Sequence, residues 1–186
     1  MILITGGTGF LGSTLIKQLI DRGIDVIAIK RAQSTIPPTL LSSSLIQWVD
    51  ADINNYFELE DALEGVTKVY HCAALVSYQK KDAKSLFKVN VEGTAHIVNL
   101  CLAKNIRLLH VSSIAALGTN KDNLPVSEKD HWEHSPSTSN YSLSKYQAEM
   151  EVWRGITEGL DAVIVNRSVI LGPAAKGKGS GPLFSM

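Results

Sequence analysis

Tyr141 and Lys145 stand four residues apart in YSLSK, a spacing that places both side chains on one face of a helix. An ammonium beside a phenol favours the phenolate, so such a pair can hold a tyrosine ready to exchange a proton. Upstream, HVSSIAALG offers Ser112 and Ser113 where a β-branched run ends, and a serine hydroxyl can hold a substrate oxygen. Serine, tyrosine and lysine together make a proton-transfer device. On its own a Tyr/Lys pair at this spacing is a common surface feature, and the serines are what change its weight.

A second group lies at the start of the chain. ITGGTGFLGSTL (4–15) follows a short apolar run and opens a helical pattern, with four glycines at the bend. Glycine allows turns closed to other residues and lets backbone approach a phosphate, and the helix N-terminus beyond supplies free N–H groups and a positive dipole end. The stretch fits two templates, Gly7-x-Gly9-x-x-Gly12 and the looser Gly6-x-x-Gly9-x-x-Gly12, which disagree over the first glycine. Thr8, Phe10 and Leu11 are counted with this turn as cofactor-binding. Where dinucleotide-binding proteins usually carry an acid for the ribose hydroxyls, the second strand ends in Lys30 and Arg31. Two cations suit a 2′-phosphate, so the sequence favours NADP(H), with NAD(H) still open and a solvated basic strand end as the plainer reading. Asp52, with Ile53 beside it, could accept from the adenine amino group, or be an exposed turn acid. A nicotinamide at this turn would exchange hydride with a substrate carbon while Tyr141 exchanges the proton on oxygen.

The elements that must position these groups alternate along the chain. Apolar, β-branched runs at ILIT (2–5), VIAI (26–29), LIQWV (45–49), KVYHCA (68–73), LLHVSS (108–113) and AVIVNR (162–167) are separated by longer segments with helical periodicity. One helical stripe runs through Phe10, Leu11, Leu15 and Leu19 and stops at Asp21-Arg22-Gly23; another runs through Leu86, Val89, Asn90, Ile97 and Cys101. This alternation predicts βαβ units and a parallel sheet buried on both faces. STIPPTLLSSS (34–44) reads as loop, and GPAAKGKGSGPLFSM (172–186) as a departure from the sheet.

Across the 186 residues, Lys+Arg and Asp+Glu both number 18, so no net field gathers nucleic acid or anionic lipid. The apolar runs are too short to span a membrane and the N-terminus lacks a signal-peptide pattern, so a cytoplasmic protein is expected. Cys72 and Cys101 have no metal-ligand spacing and read as buried, reduced small hydrophobes. No metal site is expected.

Taken in order, TGGTGFLG (5–12), HCAA (71–74), VNVEGT (89–94), SSIAALG (112–118), YSLSK (141–145) and RSVILGP (167–173) resemble the short-chain dehydrogenase/reductase superfamily, in its extended, epimerase-like group. The resemblance covers essentially the whole chain. It implies a Rossmann-type doubly wound parallel sheet in three αβα layers, with residues 1–171 as the NAD(P)-binding domain and 172–186 as the start of a mostly absent C-terminal substrate domain. It assigns the glycines as Gly6, Gly9 and Gly12, leaving Gly7 a bystander, and makes Ser113 the catalytic serine with Tyr141 as acid/base. Lys145 is implied to hold the nicotinamide ribose and lower the tyrosine pKa. Ala73 and Ala74 would line the cofactor, Asn90 would brace the fourth and fifth strands, and Arg167, Ser168 and Val169 would back the nicotinamide. Ile114-Ala115 replaces the acidic pair of the group's dehydratases, and Leu117-Gly118 a Tyr-Gly frequent in its epimerases. The chain therefore looks most like the dihydroflavonol-reductase and hydroxysteroid-dehydrogenase branch, which implies a ketone or secondary alcohol as substrate. A nucleotide-sugar epimerase and a non-catalytic dinucleotide-sensing module are the alternatives. Helices around 83–104 and 142–159 are candidates for a homodimer contact.

Overall fold

A computed structural model describes residues 1–118, 126–128, 130, 132–135 and 138–172. Six strands form one sheet: β1 Ile2–Thr5, β2 Val26–Lys30, β3 Ile46–Asp50, β4 Lys68–His71, β5 Arg107–Ser113 and β6 Ala162–Arg167. All pairings are parallel, in the order β3-β2-β1-β4-β5-β6. The helices are α1 Phe10–Ile20, α2 Tyr56–Ala62, α3 Ala83–Leu86, α4 Gly93–Ala103 and α5 Asn140–Thr157. The expected doubly wound Rossmann sheet is therefore present. The expected second domain at 172–186 lies, apart from Gly172, outside the described residues.

Neighbouring strand residues go to opposite faces, and each face has its own core. Ile4, Val26 and Ala28 pack with Ile16 and Leu19 of α1 on one side. Leu3, Ile27, Val69 and Leu108 pack on the other with Leu59 of α2, Ile97 and Leu100 of α4, and Val152 of α5. Full burial of such aliphatic side chains contributes about 1.5–3 kcal/mol apiece. Among the described residues β6 is covered on one face only: Ile164 joins the second core, while Val163 and Val165 stay 40% and 44% exposed.

Local chemistry sets the helix starts. The side chain of Asn55 caps α2 and that of Ser139 caps α5, each accepting from the backbone N–H three residues on. α3 runs into α4 through a π-helical turn at Phe87–Glu92, which holds the buried Asn90. The segment read as loop at 34–44 contains a short 3₁₀ turn at Pro38–Leu40, because Leu40 has a place in the α1-side core. β4 ends at His71, two residues before the sequence run suggests, since from Cys72 onward the chain turns across the glycine bend.

Candidate active site

The strand order reverses between β1 and β4, which opens a crevice at the carboxyl ends of the strands. Gly6 leaves β1 with φ +68°, and a Cβ there would stand 2.8 Å from the Ala73 nitrogen just past β4. A Cβ at Gly12 would stand 2.2 Å from the Gly6 carbonyl oxygen, and one at Gly9 3.2 Å from the same oxygen. Gly6, Gly9 and Gly12 thus build the turn, with the Gly9 N–H donating to the Gly6 carbonyl. Gly7 is not a mere bystander: a Cβ there would meet Ile16, Ala28 and Trp48 at 3.0–3.2 Å. Its hydrogen side chain lets α1 close on the sheet.

A cleft of about 270 Å³ lies over this turn. It is lined by Gly6, Thr8, Gly9, Lys30, Arg31, Asp52, Ile53, Ala73 and Ala74, bringing nine of the expected cofactor residues together, and also by Ser34, Asn54 and Cys72, which sequence reasoning did not place there. Phe10 and Leu11 are half-buried in the first turn of α1, and Phe10 packs against Gly172 in the segment beyond β6. The two strand-end cations differ. Lys30 pairs with Asp50, its register partner on β3, whereas Arg31 is exposed with no ion pair among the described residues. Asp52 accepts from the backbone and side-chain N–H groups of Asn54 through one oxygen. Cys72 is half-buried rather than buried, with burial pushing its thiol up to about 11; Cys101 is buried and pushed up to about 12.

Where β1 and β4 end side by side, a chain of hydrogen bonds fixes their relative position. The Ala73 N–H donates to Thr5 Oγ1 (3.0 Å), and Thr5 Oγ1 contacts His71 Nδ1 (2.7 Å). His71 Nε2 meets Thr94 Oγ1 at 3.0 Å, and the Thr94 hydroxyl donates to the Asn90 carbonyl. With the Thr94 proton spent on Asn90, His71 is a neutral imidazole protonated at Nε2, accepting at Nδ1 from Thr5. Burial and the charge of Lys145 lower its pKa to about 3, in keeping with that state. Its neighbour on β5, His110, is buried with neither ring nitrogen partnered and its pKa well below the ordinary value.

Asn90 differs from the expected brace between β4 and β5, which already pair with each other. Its amide accepts from the Leu75 N–H (2.7 Å) and donates to the Leu75 carbonyl (3.0 Å) and Ser144 Oγ (2.9 Å). It joins the loop after β4 to α5.

α5 carries the residues expected to transfer the proton, Tyr141 and Lys145, on its buried face. The Tyr141 ring meets the Tyr78 ring edge-on at 5.6 Å, and its hydroxyl has no hydrogen bond among the described residues. Lys145 is only 2% exposed, and its Nζ donates to the Val111 carbonyl at 3.0 Å. Burial above all, with Arg167 adding repulsion, pulls its pKa down to about 8 against the opposing pull of Glu149 and Cys72. The two serines separate. Ser112 is fully buried and its hydroxyl donates to Glu149 (2.6 Å), whereas Ser113 accepts from the Ala115 N–H and keeps its own proton uncommitted among the described residues. Ser113 stands opposite Arg167 in the β5–β6 register; Ser168 and Val169 follow, exposed.

The profile of the NAD dependent epimerase/dehydratase family matches residues 2–184. The chain belongs to that family. It is 36% identical over 174 residues to sterol demethylase protein B of Methylococcus capsulatus, covering 92% of this chain and 52% of that protein. It is 34% identical over 156 residues to a vaccinia virus 3 beta-hydroxysteroid dehydrogenase/Delta 5-->4-isomerase, covering 81% and 45%. The chain thus spans about half the length of these relatives. Among solved structures, Bordetella bronchiseptica WbmH in complex with NAD+ shares the fold at a TM-score of 0.81 and 24% identity, covering 98% of this chain and 60% of that one. Among the described residues of this family member, no helix is long and apolar enough to cross a membrane, and no cluster of three or more His, Cys, Asp and Glu could hold a metal ion.

Proposed function

We propose that this chain is the cofactor-holding part of an NADP(H)-dependent oxidoreductase acting on a ketone or secondary alcohol. The reading rests on one juxtaposition: the glycine-built cleft and the Ser113, Tyr141 and Lys145 side chains belong to the same carboxyl edge of the sheet. The cleft fits a dinucleotide, because Gly6 and Gly12 leave space that any Cβ would fill and the α1 N-terminus lies directly beyond. When bound, the nicotinamide supplies or takes the hydride. Ser113, with its free proton, donates to the substrate oxygen, and Tyr141 transfers the proton that the hydride step requires. The buried Lys145 ammonium, one turn along α5 from Tyr141, keeps two protons for the ribose after its bond to Val111.

Cofactor choice falls to Arg31. Lys30 is already paired with Asp50, so of the two strand-end cations Arg31 is the one without an ion pair among the described residues and is placed to meet a 2′-phosphate. A charge-assisted bond of this kind contributes about 1.5–3 kcal/mol, roughly ten- to a hundredfold in affinity. Calorimetric titration should therefore show NADPH binding at least tenfold more tightly than NADH, with Arg31→Glu abolishing the difference. Preference for NADH would overturn the assignment and favour the second reading, an NAD-dependent nucleotide-sugar epimerase, which the Lys30–Asp50 pair supports by removing one of the two cations.

A further inference from the structure

Glu149 is a carboxylate with no assigned part in the chemistry, and it is 8% exposed. It lies on α5 four residues beyond Lys145, hence on the same helix face. Oε2 accepts from the Ser112 hydroxyl at 2.6 Å and from Asn166 Nδ2 at 2.8 Å, and Oε1 accepts from the Trp153 indole at 3.4 Å. Three donors and no acceptor meet it, the surroundings of a carboxylate rather than a carboxylic acid. Its partners are also telling. Ser112 precedes Ser113 on β5 and Asn166 precedes Arg167 on β6, and these two residues are paired in register.

We propose that Glu149 is a positioning residue for Lys145: it ties α5 to the ends of β5 and β6 and supplies the negative charge beside the Lys145 ammonium. The titratable and charged groups acting on Lys145 from the packed elements are Arg167 on β6, Glu149 on α5, Cys72 after β4, His71 on β4 and His110 on β5. Arg167 is a cation, both imidazoles are neutral, and the Cys72 thiol is pushed up to about 11. Among the groups named, Glu149 is the one carboxyl. Without it, a buried ammonium would face a guanidinium whose Nε is itself buried and unpartnered.

The role rests on the reading of Lys145 as the partner of Tyr141, but its test does not depend on turnover. In protein labelled with 13C at lysine Cε, the Lys145 resonance, assigned by its loss in Lys145→Met, reports the ammonium titration directly. Glu149→Gln keeps the shape and removes the charge, and should lower the Lys145 midpoint by on the order of one pH unit. Glu149→Asp keeps the charge and should leave the midpoint within a few tenths. Should the glutamine variant not fold, Glu149→Met fills the volume without charge and makes the same prediction. A folded Gln or Met variant whose Lys145 titrates at the parent midpoint overturns the proposal. Full activity of Tyr141→Phe in the complete enzyme would instead sink the oxidoreductase reading while leaving the Lys145 titration result standing.

Discussion

Lys145 is held at a cost to the fold. Its folded pKa of about 8 lies below the 10.5 of a free lysine, so at neutral pH the folded chain carries an ammonium that burial disfavours. The unfolded chain binds the proton more tightly between those two values, so stability rises with pH across roughly 8 to 10.5. Below that window the penalty is fully present, on the order of 1 to 3 kcal/mol once the bond to Val111 is set against it. Lys145→Met should accordingly raise the urea midpoint at pH 7, while the parent and the variant converge near pH 10.5; an unchanged or lower midpoint for the variant at pH 7 would contradict this account. The same residue shows the limit of sequence reading. Tyr141 and Lys145 were legible from their spacing, but Lys145's neighbours come from β4, β5 and β6, and no local pattern reports contacts between elements so far apart in the chain. The choice of Ser113 over Ser112 followed from resemblance; that the Ser112 hydroxyl is spent on Glu149 is visible only in three dimensions.

At the scale of elements, the strands were the most legible feature. Their runs of β-branched residues mark segments buried on both faces, and ILIT and AVIVNR match β1 and β6 residue for residue. What composition could not carry was register, and register decides that Lys30 faces Asp50. The glycine turn was legible as a cradle but not as packing, because a literal motif treats Gly7 as spare. The two kinds of glycine should separate by mutation. Gly12→Ala drives a Cβ into backbone that cannot move aside, and should abolish dinucleotide binding and destabilise the fold by on the order of 3 kcal/mol. Gly7→Ala presses only on side chains of Ile16, Ala28 and Trp48, and should cost on the order of 1 kcal/mol while leaving cofactor affinity within a few fold. Denaturant titration with calorimetry of both variants reads each quantity, and equal loss of binding in the two would refute the distinction.

For the molecule as a whole, the buried imidazoles set the response to acid. His71 has its pKa lowered to about 3 and His110 well below the ordinary 6.5, both chiefly by burial, so both remain neutral in the fold. The unfolded chain takes up protons that the folded chain refuses, so stability falls as pH drops from about 6.5 towards 3, by up to about 1.4 kcal/mol per unit for each histidine. His110→Leu removes one proton from that balance, and its urea midpoint should fall less steeply between pH 6.5 and 4.5 than the parent's; parallel slopes would exclude His110 as a contributor. None of this could be read from HVSS or YHCA, where each histidine looks like any other polar residue in a strand. The two outer strands also leave the molecule lopsided. β3 exposes Gln47 and Asp50 on its flank, whereas β6, the outer strand on the other side among the described residues, turns Val163 and Val165 outward. Among the described residues, then, one flank carries polar and charged side chains and the other two outward valines, and an apolar outer strand is where sheets accept a further partner.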